Sequence, residues 1–253
     1  MTTLLCLSDS YQKECDAIVT AVEGNFIELD QTVFFPRGGG QPSDFGFVSV
    51  SSLSMLAQVS SQANVLGKNV LTIKEVYKKD GKIIHEMEGE SHDLVVGVRV
   101  HCVIDWERRY KLMRTHTAAH VLASYMHDKL GYQITGNQLE TDKTRFDFSM
   151  EGFDRAKFDE AVNAVNEILT RDIELKVYSL PKEEAMKIPG VVKLAGALPP
   201  EISMLRIVEI PGIDLQADGG THVKNLKEVG KVTLTKLDNK GSQNKRIYFT
   251  LSP

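Results

Sequence analysis

The sequence predicts an α+β chain. A small β-rich, barrel-like N-terminal domain covers residues 1–95, and a two-layer α/β domain with a long histidine-bearing helix covers 96–253. Three observations carry this reading. Up to about residue 95 the chain offers short alternating apolar runs punctuated by Gly and Pro, with no long helical pattern. From Trp106 to about Leu130, and again from about Asp154 to Thr170, apolar residues fall at helical spacing. After residue 170 strand-like runs return, and mixed order of this kind suits layers of helix and sheet.

In chain order, Asn25 to Phe35 is rich in Phe, Ile, Leu and Val and reads as a half-buried strand. The turn-rich Pro36-Arg37-Gly38-Gly39-Gly40-Gln41-Pro42 follows. Val70–Tyr77 and Lys82–Glu88 flank Lys78-Lys79-Asp80-Gly81, and Asp-Gly between two extended runs signals a hairpin. Such short strands suit a small barrel or a sandwich. Val96–Ile104 is an apolar strand, and Asp105 can cap the following helix, with Arg108 three positions on. That helix carries Leu112, Met113, Ala119, Val121, Leu122 and Tyr125 at helical spacing; the second carries Phe158, Val162, Val165, Ile168 and Leu169. Ile173–Leu180 reads as a strand, Pro181 opens a short helix, and Ser203–Ile210, Val229–Leu237 and Arg246–Leu251 read as strands, with a turn at Asp238–Gly241.

Composition narrows the function classes. Apolar residues make up 42% and charged residues 25% of 253, which excludes a disordered chain, a collagen and a coiled-coil rod. Apolar runs such as Leu94-Val95-Val96 are far short of the roughly 20 residues of a membrane-spanning helix. Met1 to Asp16 has no basic n-region and carries Asp9, Glu14 and Asp16, unlike a signal peptide. Three cysteines (Cys6, Cys15, Cys102) with no CxxC pair point to a reduced, cytoplasmic compartment. Net charge is −4, so a nucleic-acid partner needs a local basic face. The glycines after Arg37 match neither GxGxxG nor GxxxxGK[ST], so nucleotide binding through those motifs is not supported.

The chemistry gathers at histidines. In Arg114-Thr115-His116-Thr117-Ala118-Ala119-His120, two imidazoles lie four residues apart on one helix face and can reach one ion, zinc being the usual choice for imidazole in a redox-inert site. His222 follows Gly219-Gly220, a turn able to aim a side chain into a cleft, and Asp218 stands four residues before it with a carboxylate able to ligate zinc. His116, His120 and His222 make three protein ligands with an open position, the layout of a hydrolytic centre. A zinc peptidase places Glu directly after the first His; Thr117 stands there, which demotes a peptidase. His85, His92, His101 and His127 read as ordinary surface or core histidines, and Asp147 as a strand carboxylate equally suited to an ion pair or to catalysis.

Arg114–His120, then Thr144-Arg145-Phe146-Asp147-Phe148-Ser149, then Gly219-Gly220-Thr221-His222-Val223, together resemble the editing domain of alanyl-tRNA synthetase, and most closely the freestanding AlaX family of alanyl-tRNA editing hydrolases. Phe35-Pro36-Arg37-Gly38-Gly39-Gly40-Gln41-Pro42-Ser43-Asp44 is similar to the glycine-rich motif of AlaX members with an N-terminal domain. The motifs keep their order from about residue 25 to 250.

The resemblance implies a β-rich N-terminal domain and a zinc-dependent editing domain with Zn2+ between its long helix and a sheet edge. It implies hydrolysis of the ester joining serine, and possibly glycine, to tRNA(Ala), with His116, His120 and His222 as ligands. Two departures stand out: Asp218 replaces a frequent family Cys, leaving the fourth ligand open between carboxylate and water, and Ala119 replaces a Thr. The glycine-rich loop is associated with choosing serine over alanine, making Arg37, Gly38, Gly39, Gly40 and Gln41 substrate-binding candidates. The catalytic step then falls to metal-activated water or to the substrate itself, through the vicinal ribose hydroxyl. For tRNA phosphates the candidates are Arg108, Arg109 and Lys111 on the histidine helix and Lys240, Lys245 and Arg246 in a tail (223–253) with seven basic and two acidic residues. Competing readings are a non-catalytic tRNA-binding module with a degenerate site and a different zinc hydrolase on the same scaffold.

Overall fold

The computed structural model describes residues 1–50, 70–89, 94–150, 152, 154–191, 203–241 and 244–252. The chain divides into two compact units, Met1–Tyr110 and Lys111–Pro253.

The first unit opens with β1 (Thr3–Leu4) and the single-turn helix α1 (Leu5–Ser8), followed by β2 (Glu14–Glu23), β3 (Phe26–Leu29), β4 (Gln31–Thr32), β5 (Gly46–Val50), β6 (Val70–Lys79), β7 (Lys82–Met87) and β8 (Arg99–Ile104). Six of these close a barrel in the order β2-β3-β7-β6-β5-β8. The alternative of a sandwich is thereby settled in favour of a barrel, which leaves no sheet edge unpaired. Closure depends on β8, which pairs antiparallel with both β2 and β5. The strand placed after residue 95 by the change of sequence pattern is therefore a barrel stave, and the unit division falls within the long helix instead. Strand hydrogen bonding is non-local, so a change in apolar periodicity does not mark it.

Inward residues of every stave, among them Val19, Ile27, Val48, Ile73, Ile83, Val100 and Cys102, form one buried cluster. The expected hairpin is present: Asp80 (φ 50°) and Gly81 (φ 78°) form a two-residue turn with Lys79 opposite Lys82. Positive φ at both positions is what the Asp-Gly pair tolerates best. At Gly46 the reason for glycine is space: a Cβ would run into the Val103 carbonyl oxygen and lie 2.7 Å from the Ile104 Cα. The run Asn25–Phe35 is not one strand but β3 and β4, broken where the Asp30 carboxylate accepts from the Ile18 and Gln31 amides.

His85 is buried in this barrel, its ring nitrogens 2.9 Å from Thr32 Oγ1 and 3.3 Å from the Ile27 carbonyl. Burial pushes its pKa down to about 4. The unfolded chain therefore takes up a proton between about pH 6.5 and 4 that the folded barrel refuses, so stability is full above pH 6.5 and declines as pH falls through that window. The loss expected is on the order of 3 kcal/mol. Urea unfolding followed through Trp106 fluorescence at pH 7 and 4.5 checks this, and His85→Asn should reduce the pH dependence by about that amount, leaving the share that His116 and His222 contribute.

The second unit contains most of helix α2 (Trp106–Leu130), then β9 (Gln133–Gln138), β10 (Thr144–Ser149), α3 (Arg155–Leu169), β11 (Lys176–Pro181), the one-turn α4 (Lys182–Ala185), β12 (Met204–Ile210), β13 (Asp214–Ala217), β14 (Lys231–Asn239) and β15 (Asn244–Ser252). The expected cap of the first long helix is present, the Asp105 carboxylate accepting from the Arg108 amide, and Asp154 caps the second in the same way, accepting from the Ala156 and Lys157 amides. One sheet has the order β14-β15-β10-β9 and a second the order β11-β12-β13. Helix α3 lies on the first sheet, where the Asn166 side chain exchanges two hydrogen bonds with the Val232 backbone. Phe146, Phe148, Phe158 and Phe249 interlock beneath it. Among the described residues no helix is long and apolar enough to cross a membrane.

Candidate metal centre

Helix α2 is apolar through its middle, with Leu112, Met113, Ala118, Val121 and Leu122 buried. It is therefore held firmly, and His116 and His120 leave it one turn apart with ring centroids separated by 5.0 Å. His222 arrives from the loop after β13, its ring 4.4 Å from that of His116 and 4.7 Å from that of His120. The third imidazole thus does join the other two. All three histidines are at most 4% exposed.

Asp218 stands at the centre. Its Oδ2 lies 3.6 Å from His116 Nε2 and 3.8 Å from His120 Nε2, while its Oδ1 lies 3.1 Å from His222 Nε2. One ligand atom from each of the four residues lies within 4.8 Å of all the others, a group that could hold a metal ion. The loop owes its bend to Asp218 as well. Its Oδ1 accepts the Gly220 amide at 2.6 Å, and its backbone is clamped to Arg206 through two hydrogen bonds. A Cβ at Gly219 would meet nothing within 4 Å, so the turn expected of the glycine pair is set by the carboxylate.

Two further residues orient the imidazoles, and spacing rules could not reveal either. Asp214, at the start of β13 and nearly fully buried, receives His120 Nδ1 at 2.8 Å, which directs His120 Nε2 toward Asp218. Thr117 Oγ1 donates to the Met113 carbonyl at 2.9 Å and lies 3.1 Å from His222 Nδ1. The Gln216 amide nitrogen lies against the same ring, 2.5 Å from His120 Nδ1 and 3.1 Å from its Nε2. Their partners are about a hundred residues away in the chain, beyond the reach of any local motif.

The electrostatics differ from one imidazole to the next. Burial pushes His222 down to about 4 and His116 well below the usual imidazole range. Burial also opposes charge on His120, but hydrogen bonds to Asp214 and Asp218 outweigh it and raise that group to about 9. For Asp218, burial alone would raise the carboxyl, yet the three imidazoles hold it well below the usual range.

The other candidates are distributed as follows. In the loop after β4, the Gly38 and Gln41 backbones bond to each other, enclosing Gly39 (φ 59°) and Gly40 (φ 88°) in left-handed conformations natural to glycine. Arg37 pairs with Glu75 at 2.8 Å and stacks on Tyr77, and the Gln41 side chain is buried rather than presented to open solvent.

Arg109 is not a surface cation. It is fully buried, gripping both oxygens of Asp44 and the carbonyls of Ser10 and Val33. Facing the core of its own unit, it has no route to a phosphate. Lys245 is likewise buried, its ammonium donating to the Gly241 carbonyl at 2.6 Å. Arg246 is engaged by Asp147 through contacts of 2.6 and 3.0 Å, so Asp147 is an ion-pair partner. Arg108 lies over the exposed Phe45 ring at 3.8 Å, while Lys111 and Lys240 are exposed. His85 is a core residue; His101 and His127 pair with Asp16 and Asp128 at 2.9 Å each, and His92 lies outside the described residues.

Comparison with known proteins places the chain in a family. A family model described as "Threonyl and Alanyl tRNA synthetase second additional domain" matches residues 205–248, and one described as "tRNA synthetases class II (A)" matches residues 3–108. An alanyl-tRNA editing protein AlaX-M from Saccharolobus solfataricus is 44% identical over 253 residues, covering 100% of both chains. Another from Methanosarcina barkeri is 44% identical over 255 residues and 99% of each chain. An alanine–tRNA ligase of Staphylothermus marinus is 34% identical over 94% of this chain but only 24% of the ligase. With such identity along its whole length, the chain belongs to the AlaX-M family of alanyl-tRNA editing proteins.

Proposed function

We propose that this protein is an aminoacyl-tRNA deacylase that acts in trans on tRNA(Ala) mischarged with serine, and with glycine, at a zinc site formed by His116, His120, His222 and Asp218. The observation that carries it is the convergence of those four ligand atoms within 4.8 Å of one another, the three imidazoles being buried. The donor set suits zinc, being imidazole nitrogens with one carboxylate oxygen.

When bound, zinc supplies Lewis acidity for hydrolysis of the aminoacyl ester. The chain's own residues do the rest. Asp214 keeps the Nδ1 proton of His120 occupied so that its other nitrogen faces the site, and burial of the three imidazoles keeps bulk water from competing. Thr117 occupies the place of a peptidase glutamate and is no proton acceptor of that kind. The ester is already activated, and the vicinal ribose hydroxyl of the tRNA is a natural proton relay. Serine differs from alanine by one hydroxyl, and groups that receive it and go unpaired with alanine discriminate by about 1–3 kcal/mol each. We assign that task to the Arg37–Gln41 loop. Phosphate contact falls to Arg108, Lys111, Lys240 and the exposed tail lysines Lys224, Lys231 and Lys236.

The decisive experiment is deacylation of Ser-tRNA(Ala), Gly-tRNA(Ala) and Ala-tRNA(Ala) by purified protein, with and without a chelator. Rapid, chelator-sensitive loss of serine with Ala-tRNA(Ala) spared is expected; tRNA bound with every ester intact would leave a binding module. Asp218→Ala should weaken zinc by roughly 10²-fold or more, since losing a ligand exceeds the 10–100-fold typical of losing a group that merely orients one. Isothermal titration with zinc measures it, and an unchanged affinity would make Asp218 a bystander.

A further inference from the structure

We infer that the Thr117 hydroxyl is a positioning residue: it accepts the Nδ1 proton of His222 so that His222 Nε2 can offer its lone pair to the metal. This rests on the zinc reading above and assigns a role to the residue in the place where a peptidase carries its base. A neutral imidazole has one N–H. For Nε2 to act as a ligand, that proton must sit on Nδ1, and in a ring only 3% exposed it needs an acceptor. The atom facing Nδ1 is Thr117 Oγ1, at 3.1 Å.

A hydroxyl can accept there only if its own proton goes elsewhere. The Met113 carbonyl, one turn back along α2 and 2.9 Å away, takes it. The Val223 amide donates to the same oxygen at 3.3 Å. Thr117 Oγ1 thus donates once and accepts twice, and through the two acceptances it ties the His222–Val223 loop to the helix that bears the other two imidazoles. Without metal the hydroxyl can turn its proton to Nδ1, moving the imidazole proton to Nε2 opposite Asp218 Oδ1 at 3.1 Å. Metal uptake then selects the other tautomer: the ring stays neutral, its single N–H passes from Nε2 to Nδ1 by exchange with water with no net proton released, and the hydroxyl donates to Met113.

Thr117→Val keeps the shape and removes the acceptor; Thr117→Ser restores it. Zinc affinity, measured by competition with a chromophoric chelator, is expected to fall 10–100-fold in T117V and to stay within about threefold of the parent in T117S. In the zinc-loaded parent protein, proton NMR should show a slowly exchanging His222 Nδ1–H close to the Thr117 side chain, a signal independent of activity and of whether any variant folds. Equal affinity in T117V, or an Nδ1–H with no proximity to Thr117, overturns the assignment while leaving the zinc site standing. A parent protein that takes up no zinc overturns the metal reading itself.

Discussion

His116→Ala should abolish stable zinc binding, with metal content falling below about a tenth of an equivalent and deacylation of Ser-tRNA(Ala) dropping by roughly 10³-fold, the scale of losing a main electrostatic stabiliser. Of the proposed ligands, His116 has the least latitude. It projects from the buried middle of α2, and its ring lies 4.4 Å from that of His222 and 5.0 Å from that of His120. No neighbouring side chain can take its place, because Ala118 and Ala119 carry no donor and Thr117 is engaged with Met113 and His222. The helix itself should survive, since alanine has the highest helix propensity. Metal analysis and circular dichroism on one sample separate the outcomes: full zinc content with lost activity would remove His116 from the ligand set.

Arg109→Ala should give the largest stability loss, about 3–5 kcal/mol, the usual cost of breaking a buried ion pair by removing one partner. The Asp44 side chain is fully buried, and one of its oxygens also accepts the Phe35 amide at 2.6 Å. Removing the guanidinium strands a carboxylate in the core and leaves the Ser10 and Val33 carbonyls short of a donor. Lysine would not restore the fork, because an ammonium cannot match two carboxylate oxygens and two carbonyls in one plane. The protein has a single tryptophan, and Trp106 lies in the same unit, so urea unfolding followed by its fluorescence reports this loss directly. A loss under 1 kcal/mol would mean that Asp44 protonates or finds another partner.

These two arginine and histidine cases show where sequence reasoning reaches and where it stops. His116 and His120 were legible because a helix turns helical spacing into proximity, and periodicity announced the helix. Arg109 sits among Arg108, Lys111 and Arg114, and looked like one more surface cation. Its burial depends on Asp44, 65 residues earlier, which reaches it only once the chain has folded. The same limit hid Asp214 and the place of β8 in the barrel. Lys245 and Arg246 were read from their charge, but strand pairing determines their surroundings: β10 runs beside β15 with Asp147 opposite Arg246.

The order of amino acids alone thus determined the α+β class, the two long helices with the Asp105 cap of the first, the Asp80-Gly81 hairpin and the family, through motifs each compact enough to be read locally. Tertiary structure alone decided that the N-terminal strands close into a barrel and not a sandwich, that Asp214 and Thr117 stand against the imidazoles, and which cations are engaged inside the protein. The physical reason is one of range. Backbone preferences and side-chain periodicity act over a few residues, whereas ligand convergence, ion pairing and burial link positions up to about a hundred residues apart, and no local pattern records those partners.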